Sequence, residues 1–208
     1  MMKDSRSGGL NLLSSVRQWP KGLLIVIAWS TLVRLLHLVE FFENSPFAAT
    51  LVSDAHIFDS WASRISGGDW AGGPQLFVLP PLYPYLLSLV YIVVGRTPAT
   101  VVLLQSVLGV VASGLVWVLA HRRFGEIAGV TAGILFGAAG TVLFYESMLV
   151  GTSVAVFLTC LGLVFLDRWR TDRAIRLLGC AGLCLGLLAI LRPNFLALVP
   201  VVLFVILW

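Results

Sequence analysis

Charge is what this chain has least of. Asp, Glu, Lys and Arg make up only 12% of its 208 residues, about half the share that a soluble domain carries. With a mean hydropathy of +0.97, that scarcity excludes a globule that keeps a charged face in water. Cysteine is scarce as well. Cys160, Cys180 and Cys184 all fall inside apolar runs, so no disulfide framework is expected. Cys180 and Cys184 share a helix face, but no histidine or third thiol stands near them, which leaves them as small packing residues. A pooled basic patch is also missing. The net charge of +4 is spread over short clusters between apolar segments, the pattern of topology-setting charges, and nucleic acid is not an expected partner.

What the sequence has instead is long apolar runs, which in lipid satisfy their backbone hydrogen bonds as helices. The expected fold is an all-α polytopic membrane protein whose partner is the lipid bilayer. Residues 1–21 form a polar, basic N-terminus with Lys3, Arg6, Arg17 and Lys21 against the single acid Asp4, expected in the cytoplasm. Gly22 to Phe42 follows, about 21 residues, enough for about 30 Å of hydrocarbon. It is too long for a signal-peptide core and no small-residue cleavage site follows, so it reads as a retained span. Further spans are expected at about 99–120, 126–144, 149–166, 175–191 and 195–208. The chain stops at Trp208 inside an apolar run, and further sequence is expected beyond it.

Residues 82–95 are apolar but short for a span, and the arginines decide how to read them. If they do not cross, Lys3, Arg6, Arg17, Lys21, Arg122, Arg123, Arg168, Arg170, Arg173 and Arg176 lie inside. Only Arg64, Arg96 and Arg192 then lie outside. If they do cross, the bias vanishes. The positive-inside rule therefore favours an interfacial helix within an extracytoplasmic loop, 43–98. In this topology "VSDAHIFD" (Val52 to Asp59), "FYESM" (Phe144 to Met148) and "LRPN" (Leu191 to Asn194) emerge on one side. Gly125, Gly129, Gly133 and Gly137, and likewise Gly182 and Gly186, recur every four residues and predict close helix packing.

"VSDAHIFDSWASRISGGDW", Val52 to Trp70, holds three aspartates, a histidine and an arginine directly after the first span. Ser53 or Asp54 is placed to cap a helix. Ile57, Phe58, Trp61 and Ile65 fall on one face, with His56, Asp59, Ser60 and Ser63 mostly on the other. This predicts a helix lying along the membrane surface, in which Asp54 is either a cap or something more. Asp54 and His56 are also ordinary ligands for a divalent cation, Mg or Mn, although two residues alone make a weak site.

The same residues resemble the first-loop motif of polytopic glycosyltransferases of the GT-C fold, the protein mannosyltransferase-like enzymes (glycosyltransferase family 39-like). Asp54, Phe58, Ala62 and Gly68-Asp69-Trp70 match that pattern in spacing. "LPPLYPYLLSLVYIVVG" (Leu79 to Gly95), "HRRFG" (His121 to Gly125), "FYESMLV" and "LRPN" resemble later elements in order. The likeness runs from about residue 23 and implies a GT-C-like transmembrane bundle whose first extracytoplasmic loop carries surface helices. It also implies an inner-membrane enzyme that moves a sugar from a polyprenyl-phosphate donor, with inversion, to an acceptor outside the cytoplasm. Whether that acceptor is protein, lipid or glycan is left open.

By this resemblance Asp54 is the catalytic base. Arg192 is the expected ligand of the donor phosphate, because an arginine grips phosphate through two parallel hydrogen bonds. It reads equally as an arginine snorkelling at a helix end. Arg34, with His37 on the same face, is a second candidate for the phosphate. Glu146, His56, Asp59 and Tyr83 are expected to contact substrate, although Glu146 also reads as an interfacial charge and Tyr83 as part of an aromatic belt. Two departures weaken a second carboxylate or a metal: Leu79 stands where some relatives carry an acid, and "LVGTS", Leu149 to Ser153, replaces another. A transporter or flippase, and a non-catalytic membrane fragment or scaffold, are the competing readings.

Overall fold

The computed structural model describes residues 20–71 and 79–207. The basic segment 1–19, the 72–78 connection before Leu79, and Trp208 lie outside the described residues. The fold is all-α, in chain order α1 (Lys21–Asn44), α2 (Pro46–Ala49), α3 (Asp54–Ser66), α4 (Leu82–Val94), α5 (Pro98–Phe124), α6 (Glu126–Gly137), α7 (Gly140–Glu146), α8 (Thr152–Asp172) and α9 (Ile175–Leu191). A 3-10 segment, Pro193–Leu198, then leads into α10 (Val199–Leu207).

Among the described residues α1, α5 and α8 are long and apolar enough to cross a membrane, and the bent pair α6–α7 makes a fourth crossing if taken as one. The protein is a multi-pass membrane protein. The other runs expected to span correspond to shorter apolar helices, α9 at 17 residues and the 3-10 segment with α10. The run expected at 126–144 is not straight: it breaks at Ala138 and Ala139 and turns by 51°.

α1 shows how the sequence sorts itself between lipid and protein. Val26, Ser30, Arg34 and Leu38 recur every four residues and are buried, while Leu24, Ile25, Leu32, Leu35, Leu36 and Val39 are exposed. The polar side chains in the middle of the helix, Ser30 and Arg34, thus face inward, as a hydrocarbon solvent requires. α5 starts with Pro98 at its first position, where a missing N–H costs nothing. It stops at Gly125, whose φ of +87° needs glycine and whose amide bonds the carbonyl of His121 at 2.9 Å. α5 is the central rod, packing against α1, α6, α7 and α8.

The glycine repeats divide into two kinds. On α6, an added Cβ would lie 2.9 Å from His121 at Gly129, 2.6 Å from Val26 at Gly133 and 3.3 Å from Ser30 at Gly137. These glycines let α1 and α5 approach closely. At Gly182 and Gly186 on α9 an added Cβ meets nothing within 4 Å, which corrects the expectation of close packing there. The cysteines are free: Cys160 and Cys184 are buried and Cys180 is exposed.

α3 and α4 pack on each other as a hairpin across one end of the bundle. Phe58, Ala62, Leu87 and Tyr91 from the hairpin join Val101, Leu149, Leu158 and Leu188 in one core cluster. The inward face of α3 differs from the predicted one: Ile57 is 40% exposed, whereas Asp59 is only 1% exposed. Asp59 turns inward because it has partners there. Tyr91 donates to its carboxylate at 2.6 Å, and Arg96 bonds both of its oxygens.

Candidate active site

The end of the bundle under the α3–α4 hairpin opens into a cleft of about 410 Å³, within the range of small-molecule sites. Its walls come from separate parts of the chain: Asp54, Tyr83, Tyr145, Thr152, Arg192 and Asn194. The helix ends explain the convergence. Asp54 is the first residue of α3, Tyr145 lies in the last turn of α7, Thr152 opens α8 and Arg192 closes α9.

Asp54 is exposed to the cleft at the positive end of its helix, a place that suits a carboxylate. The backbone delivers it through Ser53, which has φ +51° and ψ −129°, a conformation costly for a residue with a side chain. The Ser53 hydroxyl does not cap the helix; it donates to Asp54 Oδ1 at 3.4 Å. Arg192 leaves helical geometry, φ −149° and ψ 103°, just before Pro193. Its Nη2 donates to Thr152 Oγ1 at 2.6 Å, and among the described residues no carboxylate pairs with it. Gly151 makes room at this corner, since a Cβ there would lie 2.8 Å from Leu191.

Tyr83 lines the cleft with its ring, in edge contact with Phe58 at 5.1 Å. Its hydroxyl points into the protein and donates to Gln105 Oε1 at 3.1 Å. Gln105 in turn donates to the carbonyls of Glu146 (2.9 Å) and Met148 (2.8 Å). The buried side of the cleft wall is therefore tied down by one amide.

Arg34 and Glu146 are placed otherwise than expected. They are 2% exposed each and bind each other through two parallel bonds, Nε to Oε2 at 2.8 Å and Nη2 to Oε1 at 2.7 Å. Arg34 Nη1 donates to Ser30 Oγ and to the carbonyls of Ser30 and Gly137, both at 3.3 Å. A guanidinium so occupied is turned towards Glu146, and neither residue lines the cleft. His37, on the same face of α1, is bonded to Ser147 Oγ at 2.8 Å. Asp59 likewise lies outside the cleft lining, bonded to Arg96 and Tyr91. Burial alone would raise its carboxyl, but those bonds outweigh it and hold the carboxyl below the usual aspartate value. His56 sits exposed on α3 and lies outside the cleft lining.

The cleft thus gathers Asp54, Tyr83 and Arg192 of the expected residues, and leaves out Arg34, Glu146, Asp59 and His56. Tyr145, Thr152 and Asn194 were not singled out as site residues. Tyr145 and Asn194 lie inside quoted motifs, whereas Thr152 lay in a stretch read as a loss. Among the described residues no three His, Cys, Asp or Glu side chains come together to hold a metal. Among the described residues Asp54 is the one carboxylate in the cleft lining, and Mg²⁺ needs little more than one carboxylate when substrate oxygens complete its shell.

Fold and cleft together define a polytopic membrane protein with a polar site at the ends of its helices. The family model for dolichyl-phosphate-mannose-protein mannosyltransferase matches residues 78–208, well over half of the chain, and the chain belongs to that family. It is a membrane glycosyltransferase of the mannosyltransferase type. The match includes Tyr83, Gln105, Glu146 and Arg192 and begins after Asp54. No curated protein and no solved structure matches the chain.

Proposed function

We propose that the cleft transfers a sugar from a polyprenyl-phosphate donor to an extracytoplasmic acceptor, with inversion at the anomeric carbon. The observation that carries this reading is that Asp54 and Arg192, 138 residues apart in sequence, line one cleft. An acceptor hydroxyl is a poor nucleophile. Asp54 takes its proton as the acceptor oxygen forms a bond to the anomeric carbon. The bond from that carbon to the phosphate oxygen breaks on the opposite face, and its electron pair leaves with the lipid phosphate. Arg192 meets the charge that develops there, oriented by Thr152.

Beside the cleft lies an apolar groove of about 410 Å³ lined by Leu82, Leu86, Val90, Leu104, Phe157 and Leu187. Tyr83 lines both spaces. A donor with a charged head and a polyprenyl tail fits that division, head in the cleft and tail in the groove. Burying one tail methylene contributes about 0.8 kcal/mol, so the groove supplies affinity while the cleft supplies chemistry. A divalent cation, where present, adds charge neutralisation at the phosphate.

Translocation of a lipid-linked substrate is the second reading. It draws on the broken α6–α7 helix and the buried Arg34–Glu146 pair, features that transporters also use. The test that separates them is Asp54→Asn, which keeps the shape of the side chain and removes the base. Transfer from a polyprenyl-phosphate sugar falls by about 10²–10⁴-fold at an unchanged yield of folded protein. Normal turnover in that variant eliminates the role of Asp54. Substrate accumulation in sealed vesicles without sugar transfer favours translocation.

A further inference from the structure

A second polar pocket lies at the other end of the bundle. It has a volume of about 560 Å³ and is lined by Leu23, Trp117, Val118, His121, Arg122 and Arg168, with Pro20 at its edge. Thr152 of the cleft and Arg168 of this pocket stand on the same helix, α8, about 24 Å apart along its axis at 1.5 Å per residue. That is close to the thickness of a hydrocarbon core, about 30 Å. The two spaces therefore face opposite membrane interfaces.

Its charge is positive and only partly neutralised. Asp167 is the acid of this corner on α8, and it is shared by Arg122 (Nε to Oδ2, 2.6 Å) and Arg123. Glu126 lies 2.9 Å from His121 Nδ1. Arg168 pairs with no acid among the described residues and is exposed. The floor is flat and aromatic: Trp117, 4% exposed, stacks on His121 with centroids 4.6 Å apart and planes at 8°. At the same end Phe124 and Ile127 are 80% and 85% exposed. An anion held here meets arginines above and hydrocarbon beside it.

We infer that this pocket binds the phosphate-bearing headgroup of an anionic phospholipid. Arg168 and Nη1 of Arg122, whose Nε bonds Asp167 and Nη2 Thr171, hold the phosphate, the glycerol lies against Trp117 and Leu23, and the acyl chains run beside Phe124 and Ile127. A lipid satisfies both halves of the site, whereas a soluble phosphate leaves the apolar half in water. Basic pockets between helices at a membrane interface commonly take acidic headgroups, drawn by the same surface charge that attracts juxtamembrane arginines.

The experiment uses the whole chain purified in mild detergent, titrated with phosphatidylglycerol or phosphatidylcholine, with bound lipid counted by native mass spectrometry. The wild type retains one phosphatidylglycerol in preference to phosphatidylcholine. Arg168→Gln lowers that occupancy roughly tenfold, the loss of one charged contact, and Arg168→Lys restores part of it. Arg170→Gln, on the same helix but outside the pocket lining, leaves occupancy unchanged. Equal retention by wild type and Arg168→Gln, or an equal loss in Arg170→Gln, overturns the site. Displacement of the lipid by millimolar inorganic phosphate makes it a free-anion site and overturns the lipid assignment.

Discussion

Arg34 and Glu146, 112 residues apart in sequence, meet as a two-bond ion pair from which water is almost wholly excluded. The pair joins α1 to the end of the bent α6–α7 unit, one residue from Tyr145 of the cleft wall. It is also the hub of a polar seam. Ser30 links Arg34 to Ser113 at 2.9 Å, and Gln105 links the Glu146 carbonyl to Tyr83. In hydrocarbon, where helices gain little from burying apolar surface against one another, such a seam fixes their relative rotation and height. The cleft geometry therefore depends on a charge pair that never touches it.

Removing one partner leaves the other buried and uncompensated, so Glu146→Gln and Arg34→Met each destabilise the fold by about 3–5 kcal/mol. Replacing both together, Arg34→Met with Glu146→Leu, recovers much of that loss because no charge remains to be solvated. Unfolding midpoints in a single detergent measure this. If the double replacement is as unstable as the sum of the two single ones, the pair does not act as a unit.

Much of this architecture was legible in the sequence, and the failures share a cause. Long apolar runs gave α1 and α5 within four residues at each end and α8 with its end six residues short, and the short run at 82–95 gave α4. Phe58, Trp61 and Ile65 share one apolar face as read, although that face is buried against protein, and Asp59, assigned to the opposite face beside His56, is buried with it. Helical period sorts residues by hydrophobicity, and it cannot see that Tyr91 and Arg96 wait at the position where Asp59 turns in. Arg34 and Glu146 were each recognised as unusual, but nothing local says that two opposite charges from distant helices cancel. The bend after Gly137 escaped notice because alanine and glycine keep a run apolar whether or not the helix continues.

Gly109 is the residue that makes the ion pair sterically possible. A Cβ there would stand 1.9 Å from Glu146 Oε1 and 2.5 Å from Arg34 Nη2. Gly109→Ala therefore displaces the pair and costs about 1–3 kcal/mol, although alanine is intrinsically the better helix former. Gly182→Ala meets open space and is neutral or stabilising by up to about 1 kcal/mol. Thermal unfolding of the two variants side by side is the check, and equal effects refute the steric argument.

The Asp59 cluster gives the α3–α4 hairpin a dependence on acid. Because the native carboxyl titrates below its ordinary value, about 3.9 when unfolded, its contribution to stability is complete above that value. It is lost as pH falls through the lower native one. Arg96 is largely solvated, with 57% of its side chain exposed, so the ion pair itself adds little. The Tyr91 bond carries more, and Asp59→Asn costs roughly 1–3 kcal/mol near neutrality. Unfolding followed from about pH 5 downward shows the wild type converging on the variant. A constant gap between them would remove the role of ionised Asp59.

Arg192 separates the two meanings of a cationic side chain at a membrane interface. If it only snorkels, Arg192→Gln changes insertion or stability slightly and leaves donor kinetics alone. If it receives the leaving phosphate, the variant loses about 10²–10³-fold in kcat/KM for the polyprenyl-phosphate donor, with most of the loss in kcat because charge accumulates there as the bond breaks. Arg192→Lys then recovers part of the rate, since an ammonium supplies the charge without the two-pronged geometry. Thr152 extends the argument one step back. Its hydroxyl accepts the 2.6 Å bond that aims the guanidinium, so Thr152→Ala weakens donor binding a few-fold, the worth of one such bond, without abolishing turnover. Steady-state rates with the donor varied at saturating acceptor distinguish these outcomes, and unchanged donor parameters in all three variants would return Arg192 to the ranks of interfacial anchors.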